Sequence, residues 1–182
     1  VPVGGVLTGA PATVSIVDRF SVTNRFNGGY IGMRGELRYG MWSVNGVAKI
    51  GVGDMHQVLQ IDGSTSFVNT RTMTAGSAYG GLYANSSNIG KFDNDEFAVI
   101  PDISINVGLN ITRQLMAYVG YNLIYVNRVA RPGDQMSPVI DSTTVPFSPN
   151  YGNSGSVPVT PHLFNQNEFW LHGVTFGLQV TY

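Results

Sequence analysis

At 182 residues the chain is long enough for one domain with a real core, and nothing in its composition asks for two. Charged residues make up only 12%, against ~25% in a typical soluble domain, while glycine is abundant at 23 residues and mean hydropathy stays near zero at +0.05. A net charge of −1 with no basic run excludes nucleic acid as a partner, and the lack of cysteine excludes disulfides and thiolate metal sites.

No stretch approaches ~18 uninterrupted apolar residues, so helical membrane spans are excluded, and any spanning structure must be a closed sheet. The chain begins Val1-Pro-Val-Gly-Gly, with neither a start methionine nor a basic-then-apolar leader, so a processed product or a fragment is expected. Residues 13–17 read as an extra strand running into Asp18-Arg19-Phe20, and the strand at 30–39 is open to extension back through Val22. Over residues 30–39, Ile31, Met33, Leu37 and Tyr39 share one face and Arg34, Glu36 and Arg38 the other. Gly40-Met41 is a tight turn, and residues 42–52 return with Trp42, Val44, Ala48, Ile50 and Val52 opposed by Ser43, Asn45, Lys49 and Gly51.

Residues 63–94 form a long Gly-, Ser-, Asn- and Thr-rich loop in this reading, and the stretch 72–85 with Tyr79, Leu82 and Tyr83 is left unassigned. Residues 99–111 give the most regular alternation, with Val99, Ile103, Ile105, Val107, Leu109 and Ile111 against Asp102, Ser104, Asn106, Gly108 and Asn110. After a turn at 110–114, residues 115–127 carry Leu115, Ala117, Val119, Tyr121, Leu123 and Tyr125 outward and Tyr118, Gly120 and Asn122 inward. A second long loop covers 128–166, where Arg131-Pro-Gly-Asp134 reads as a tight turn. In its later part, Phe147, Tyr151 and Phe164 are read either as a partner-binding surface or as packing. Residues 170–182 close the chain with Trp170, Val174, Phe176, Leu178, Val180 and Tyr182 facing away from Gly173, Thr175, Gly177, Gln179 and Thr181.

These segments are about as long as the ~9–11 residues that a tilted strand needs to cross a bilayer. The fold class expected is therefore all-β, an antiparallel transmembrane up-and-down β-barrel with short periplasmic turns and long extracellular loops. Tyr39, Trp42, Tyr121, Tyr125, Trp170 and Tyr182 are the expected membrane-interface aromatics. Five or six strands are fewer than the ~8 of the smallest single-chain barrels. The chain is thus expected to be either one β-barrel domain over 1–182 or the C-terminal portion of a larger barrel, completed by missing N-terminal strands, by strands from the loops or by further copies in a homo-oligomer. Membrane lipid is the expected partner. A secreted, soluble β-sandwich binding or structural module is the alternative, since the same alternation can pack sheet on sheet.

The stretch Asn24-Arg-Phe-Asn-Gly-Gly-Tyr-Ile-Gly-Met-Arg-Gly-Glu-Leu-Arg, then Ala48-Lys-Ile-Gly-Val-Gly-Asp-Met-His-Gln and Ile61-Asp-Gly-Ser-Thr, resembles an outer-membrane family called beta-barrel porin seven, found chiefly in planctomycete-type bacteria. Asn88-Ile-Gly-Lys-Phe, Phe97-Ala-Val-Ile-Pro-Asp, the segment from Val119 to Gln135, and Phe169-Trp-Leu-His-Gly-Val-Thr-Phe-Gly-Leu agree in collinear order. The resemblance implies a location in the bacterial outer membrane and longer relatives carrying an N-terminal barrel portion. It supplies no catalytic residue and no established substrate.

The expected lumen-facing residues are Arg34, Glu36, Arg38, Lys49, Asp102, Asn106, Tyr118 and Asn122. They would either line a pore and bias ion passage or pair and fill the interior. A small barrel favours filling, and wider closure reverses the preference. His56, His162 and His172 lie far apart without zinc-site spacing, and no nucleophile, base and orienting group can be placed together. No metal, no cofactor and no catalysis are expected. Asp93-Asn-Asp-Glu96 offers oxygen ligands to calcium, but without the glycine and distal Glu of an EF-hand loop it reads as a solvated loop edge.

Overall fold

A computed structural model describes residues 2–9, 12–137, 139–153 and 164–181, with backbone alone for 2–9 and 12. Tyr182 and His162 lie outside the described residues. The chain runs β1 (Pro2–Gly9), β2 (Ala12–Tyr39), β3 (Trp42–Asn69), β4 (Thr74–Tyr79), β5 (Gly90–Asn110), β6 (Leu115–Ala130), a one-turn 3-10 helix (Pro132–Gln135) and β7 (Gln166–Val180). The seven strands form one sheet in the order β1-β2-β3-β5-β6-β7, with β4 folded onto β3. Pairing is antiparallel, from Pro2 opposite Arg19, through Ser64 opposite Tyr79, to Asp102 opposite Ile124. Among the described residues β1 and β7 end the strand order, so the sheet is open.

The two tight turns fall where the alternation places them, at Gly40-Met41 and at residues 111–114. Gly40 has φ +58 while Met41 stays at negative φ, as the first central position of a two-residue hairpin loop requires. Replacing Gly40 with Ala is expected to cost about 1–2 kcal/mol of stability. A shift of the unfolding midpoint to lower urea checks it.

Several boundaries differ from expectation. The strand expected at 13–17 and the one at 30–39 are a single 28-residue element. The expected loop 63–94 contains the end of β3, all of β4 and the start of β5, so its irregular part shrinks to 80–89. Small residues such as Ser64, Thr65, Ser66, Ser77 and Ala78 hide this pairing from a hydropathy pattern, because ladder hydrogen bonds need only backbone groups. The Arg131-Pro-Gly-Asp134 turn is a 3-10 helix with Pro132 at its start, where a missing N–H costs nothing. Asp93-Asn-Asp-Glu96 is not a loop edge but part of β5. There Asn94 donates to Gln57 at 3.3 Å, Asp95 meets His56 at 2.5 Å and Glu96 pairs with Arg128, so successive residues turn to opposite faces and do not gather around one cation.

The chain divides into two compact units. The first comprises Val1–Asn24, Gln57–Asn94 and Ala130–Gln166, and the second Arg25–His56, Asp95–Val129 and Asn167–Tyr182.

The first unit is built on an apolar core of Phe20, Leu59, Ile61 and Ala84, against which Val22, Tyr83, Ile89, Phe92, Met136 and Phe164 pack. Loop 80–89 supplies Ala84 to this core and is tied down by Asp18, which is 1% exposed. The Asp18 carboxylate accepts the backbone N–H groups of Leu82, Tyr83 and Ala84 at 3.1, 3.2 and 3.0 Å. Gly81 sits so close that a Cβ would collide with the same carboxylate. A buried amide network adds to this core. Gln57 donates to Asn24 at 3.2 Å and accepts from Gln166 at 2.8 Å, while Asn24 bonds both the N–H and the C=O of Ala130, at 3.0 and 2.9 Å. Asn24 thereby links β2 to β6, strands that are not neighbours in the sheet.

The second unit has a smaller core of Met55, Ala98 and Ile100 with Phe26, Ile124 and Val126 packed around it. Its other strand faces carry the residues considered next.

Candidate functional site

Alternation along the three longest strands, β2, β3 and β5, changes sense once. In β2, the parity that carries Ile31, Met33, Leu37 and Tyr39 carries Arg19, Ser21, Thr23, Arg25 and Asn27 earlier in the strand. In β3, Trp42, Val44, Ala48, Ile50 and Val52 are continued by Asp54, His56, Gln60 and Asp62. In β5, Lys91, Asp93 and Asp95 precede Phe97, Val99, Ile103, Ile105 and Val107. The opposite parity reverses in step: buried Phe20 and partly buried Phe26 give way to Arg34, Glu36 and Arg38, and Met55, Leu59 and Ile61 stand on the parity of Ser43, Asn45 and Lys49. The second unit is therefore apolar on its exposed face and polar on the other, whereas the first buries its apolar parity.

On the apolar face of the second unit, Met33 is 77% exposed, Tyr39 88% and Phe176 78%. Two shallow furrows of about 430 and 420 Å3 cross this face, lined by residues that include Ile31, Met33, Leu37, Ala48, Ile50, Ile103 and Ile105. The aromatics assigned to a membrane interface lie on this face where described. Tyr125 packs on Trp170 with ring centres 4.4 Å apart, Tyr121 faces His172 at 6.2 Å, and Tyr39 and Trp42 flank the Gly40 turn, both exposed. Glu168 accepts the Trp170 indole N–H at 3.3 Å. Exposure of so much contiguous apolar surface is what a monomeric soluble domain avoids.

On the polar face the structure brings most of the candidate residues into pairs between neighbouring strands. Lys49 Nζ lies 3.7 Å from Asp102, Asn106 donates to Asn45 at 3.0 Å, and Asn122 accepts from Ser104 and donates to Thr175 at 3.3 Å. The Tyr118 ring lies over Gly177, where any Cβ would strike it, so the glycine makes room for the ring on β7. Arg38 holds Glu36 through two guanidinium nitrogens, each at 2.7 Å. Both side chains line a cavity of about 360 Å3 with Arg34, Ser43, Asn45, Asn110, Arg113, Gln114, Gln179 and Thr181. Partly exposed pairs of this kind each add about 0–1 kcal/mol, so they organise the face more than they stabilise the fold.

Sequence reasoning passed over Arg113 and Arg128 on this unit and Asp18 and Gln57 in the first, and it read Glu96 as a loop-edge carboxylate, not as the partner of Arg128. Arg113 hides in a turn. Arg128 and Glu96 stand in parity with Asn122 and Asp102, a signal present in the alternation but beyond the range where apolar residues marked the strands. Among the described residues no group of three His, Asp or Glu side chains has metal-binding proximity.

Long antiparallel strands joined by tight hairpins, with one apolar and one polar face, form an all-β antiparallel sheet of the kind found in β-barrel proteins. The chain matches the family described as Putative beta barrel porin-7 (BBP7) over residues 6–182, and it belongs to that family. Comparison with curated proteins and with solved structures gives no match.

Proposed function

We propose that this chain is the membrane-crossing part of an outer-membrane β-barrel of porin type, a passive passage for small solutes without catalysis or cofactor. The observation that carries the reading is the length of the apolar parity in the second unit, which covers residues 31–39, 42–52, 97–109, 115–125 and 170–180. Each run is close to the ~9–11 residues that a tilted strand needs to span hydrocarbon. Where the runs stop, polar side chains take over the same parity, as they must when a strand leaves lipid for water. Lipid chains then fill the apolar furrows, and the polar face becomes lumen. The edges of β7 and of β2 beyond Arg19 pair with further strands or with a second copy, since open edges have no place in hydrocarbon.

One observation favours a second reading, a barrel that serves as a surface scaffold. The apolar parity of the first unit is packed by Phe20, Leu59, Ile61 and Ala84. Planar-bilayer recording of the detergent-extracted protein separates the two, stepwise conductance supporting a channel and silence a scaffold. Both require detergent for solubility. A protein that stays monomeric in buffer without detergent would refute both and favour a soluble β-sandwich.

A further inference from the structure

The charges on the polar face of the second unit do not balance. Glu36 is held by Arg38, Asp102 lies beside Lys49, and Glu96 is paired with Arg128, so every carboxylate on that face already has a cation. Arg34 and Arg113 remain, and among the described residues neither makes an ion pair. Both line the same cavity, with the amides of Asn110, Gln114 and Gln179 and the hydroxyl of Thr181 around them. The apolar face carries the reverse bias, since Asp54, Asp95 and Glu168 there outnumber Arg25. The chain's near-neutral net charge thus hides a sorting of sign between faces.

We propose that this cavity is a binding site for small multivalent oxyanions, free solutes bearing phosphate or carboxylate groups. Two guanidinium groups provide planar, permanently charged forks that match such oxygens, and the surrounding amide N–H and hydroxyl groups satisfy those left over. Arg38 is occupied in holding Glu36, which keeps that carboxylate from repelling the ligand. The size suits a small ligand: about 360 Å3 admits a phosphate or a short dicarboxylate with part of its water. In a lumen, rings of arginine bias passage towards anions. The inference deepens the porin reading and rests on it for passage, though not for binding.

The test uses the native protein in uncharged detergent, titrated calorimetrically with inorganic phosphate, and compares the Arg34→Gln/Arg113→Gln double variant with an Arg25→Gln control. Expected are binding that weakens as salt rises, a loss of about tenfold or more in the double variant, and no change in the control. Absence of phosphate binding, or equal binding by both variants, overturns the site. So does bound phospholipid that only the double variant releases, because the anion would then be a lipid headgroup. Reversal potentials in a KCl gradient supply the second arm. Chloride preference that falls towards neutrality in the double variant supports the inference, and a conducting, cation-selective wild type overturns it. A silent bilayer with phosphate binding intact refutes passage and leaves the site standing.

Discussion

Replacing Asp18 with Ala is expected to lower stability by about 3–5 kcal/mol, as much as truncating a fully buried apolar side chain of the same unit. Asp18 is almost wholly buried, and its two oxygens serve three consecutive backbone donors, Leu82, Tyr83 and Ala84. Truncation leaves those N–H groups facing a space that no other acceptor fills, and each orphaned donor costs about 1–3 kcal/mol before the loop relaxes. Asn at this position is expected to restore only part of the loss, because one of its two polar atoms is a donor turned towards donors. Gly81→Ala should mimic the truncation by pressing a methyl group into the carboxylate. Urea unfolding gives the magnitude, and hydrogen exchange at the amides of 82–84 gives the location. A midpoint equivalent to less than about 1 kcal/mol of change, with those amides still protected, would show that the loop is held by its apolar contacts with Phe20, Leu59 and Ile61 instead.

The second prediction concerns the apolar face. Phe176→Arg is expected to destabilise the protein in a bilayer by about 2–4 kcal/mol, since Phe176 stands midway along the apolar run of β7 and a charge there must leave water. Thr175→Arg, one residue away and on the polar face, is expected to cost less than about 1 kcal/mol, mainly through the lost 3.3 Å bond from Asn122. Phe176 is 78% exposed, so in a protein surrounded by water the same substitution would be neutral or would improve solubility. The two solvents thus predict opposite signs for one mutation. Refolding titrations in lipid vesicles read the difference. Equal effects of the two arginines would refute a lipid-facing strand.

Much of this was legible in the alternation. Over residues 30–52, 99–127 and 170–180, apolar and polar side chains alternate so strictly that strands, faces and both tight turns follow from a period of two. The shared parity of the candidate residues Lys49 and Asp102, Asn122 and Asn106 follows from that period alone. Their partners were not, because a pairing such as Lys49 with Asp102 depends on the register between β3 and β5, which no single strand carries. The longer extent of β3 and β5, and the union of both parts of β2, are hidden for a physical reason. Beyond Ile31, Val52 and Phe97 the sense of the alternation inverts, and a search for apolar residues on one constant face loses the strand where its surroundings change.

The sequence by itself determined that this chain is all-β, that its strands carry one apolar and one polar face, and that no segment of it is long and apolar enough to cross a membrane as a helix, because side-chain parity and run length are local properties of the chain. Its collinear motifs also determined the family. Only the tertiary structure decided that Asp18 secures a loop more than sixty residues away, that Asn24 stands in for a strand at Ala130, and that three carboxylates are each matched while Arg34 and Arg113 are left over. Those outcomes depend on which distant residues meet, and strand register and sheet order fix those meetings.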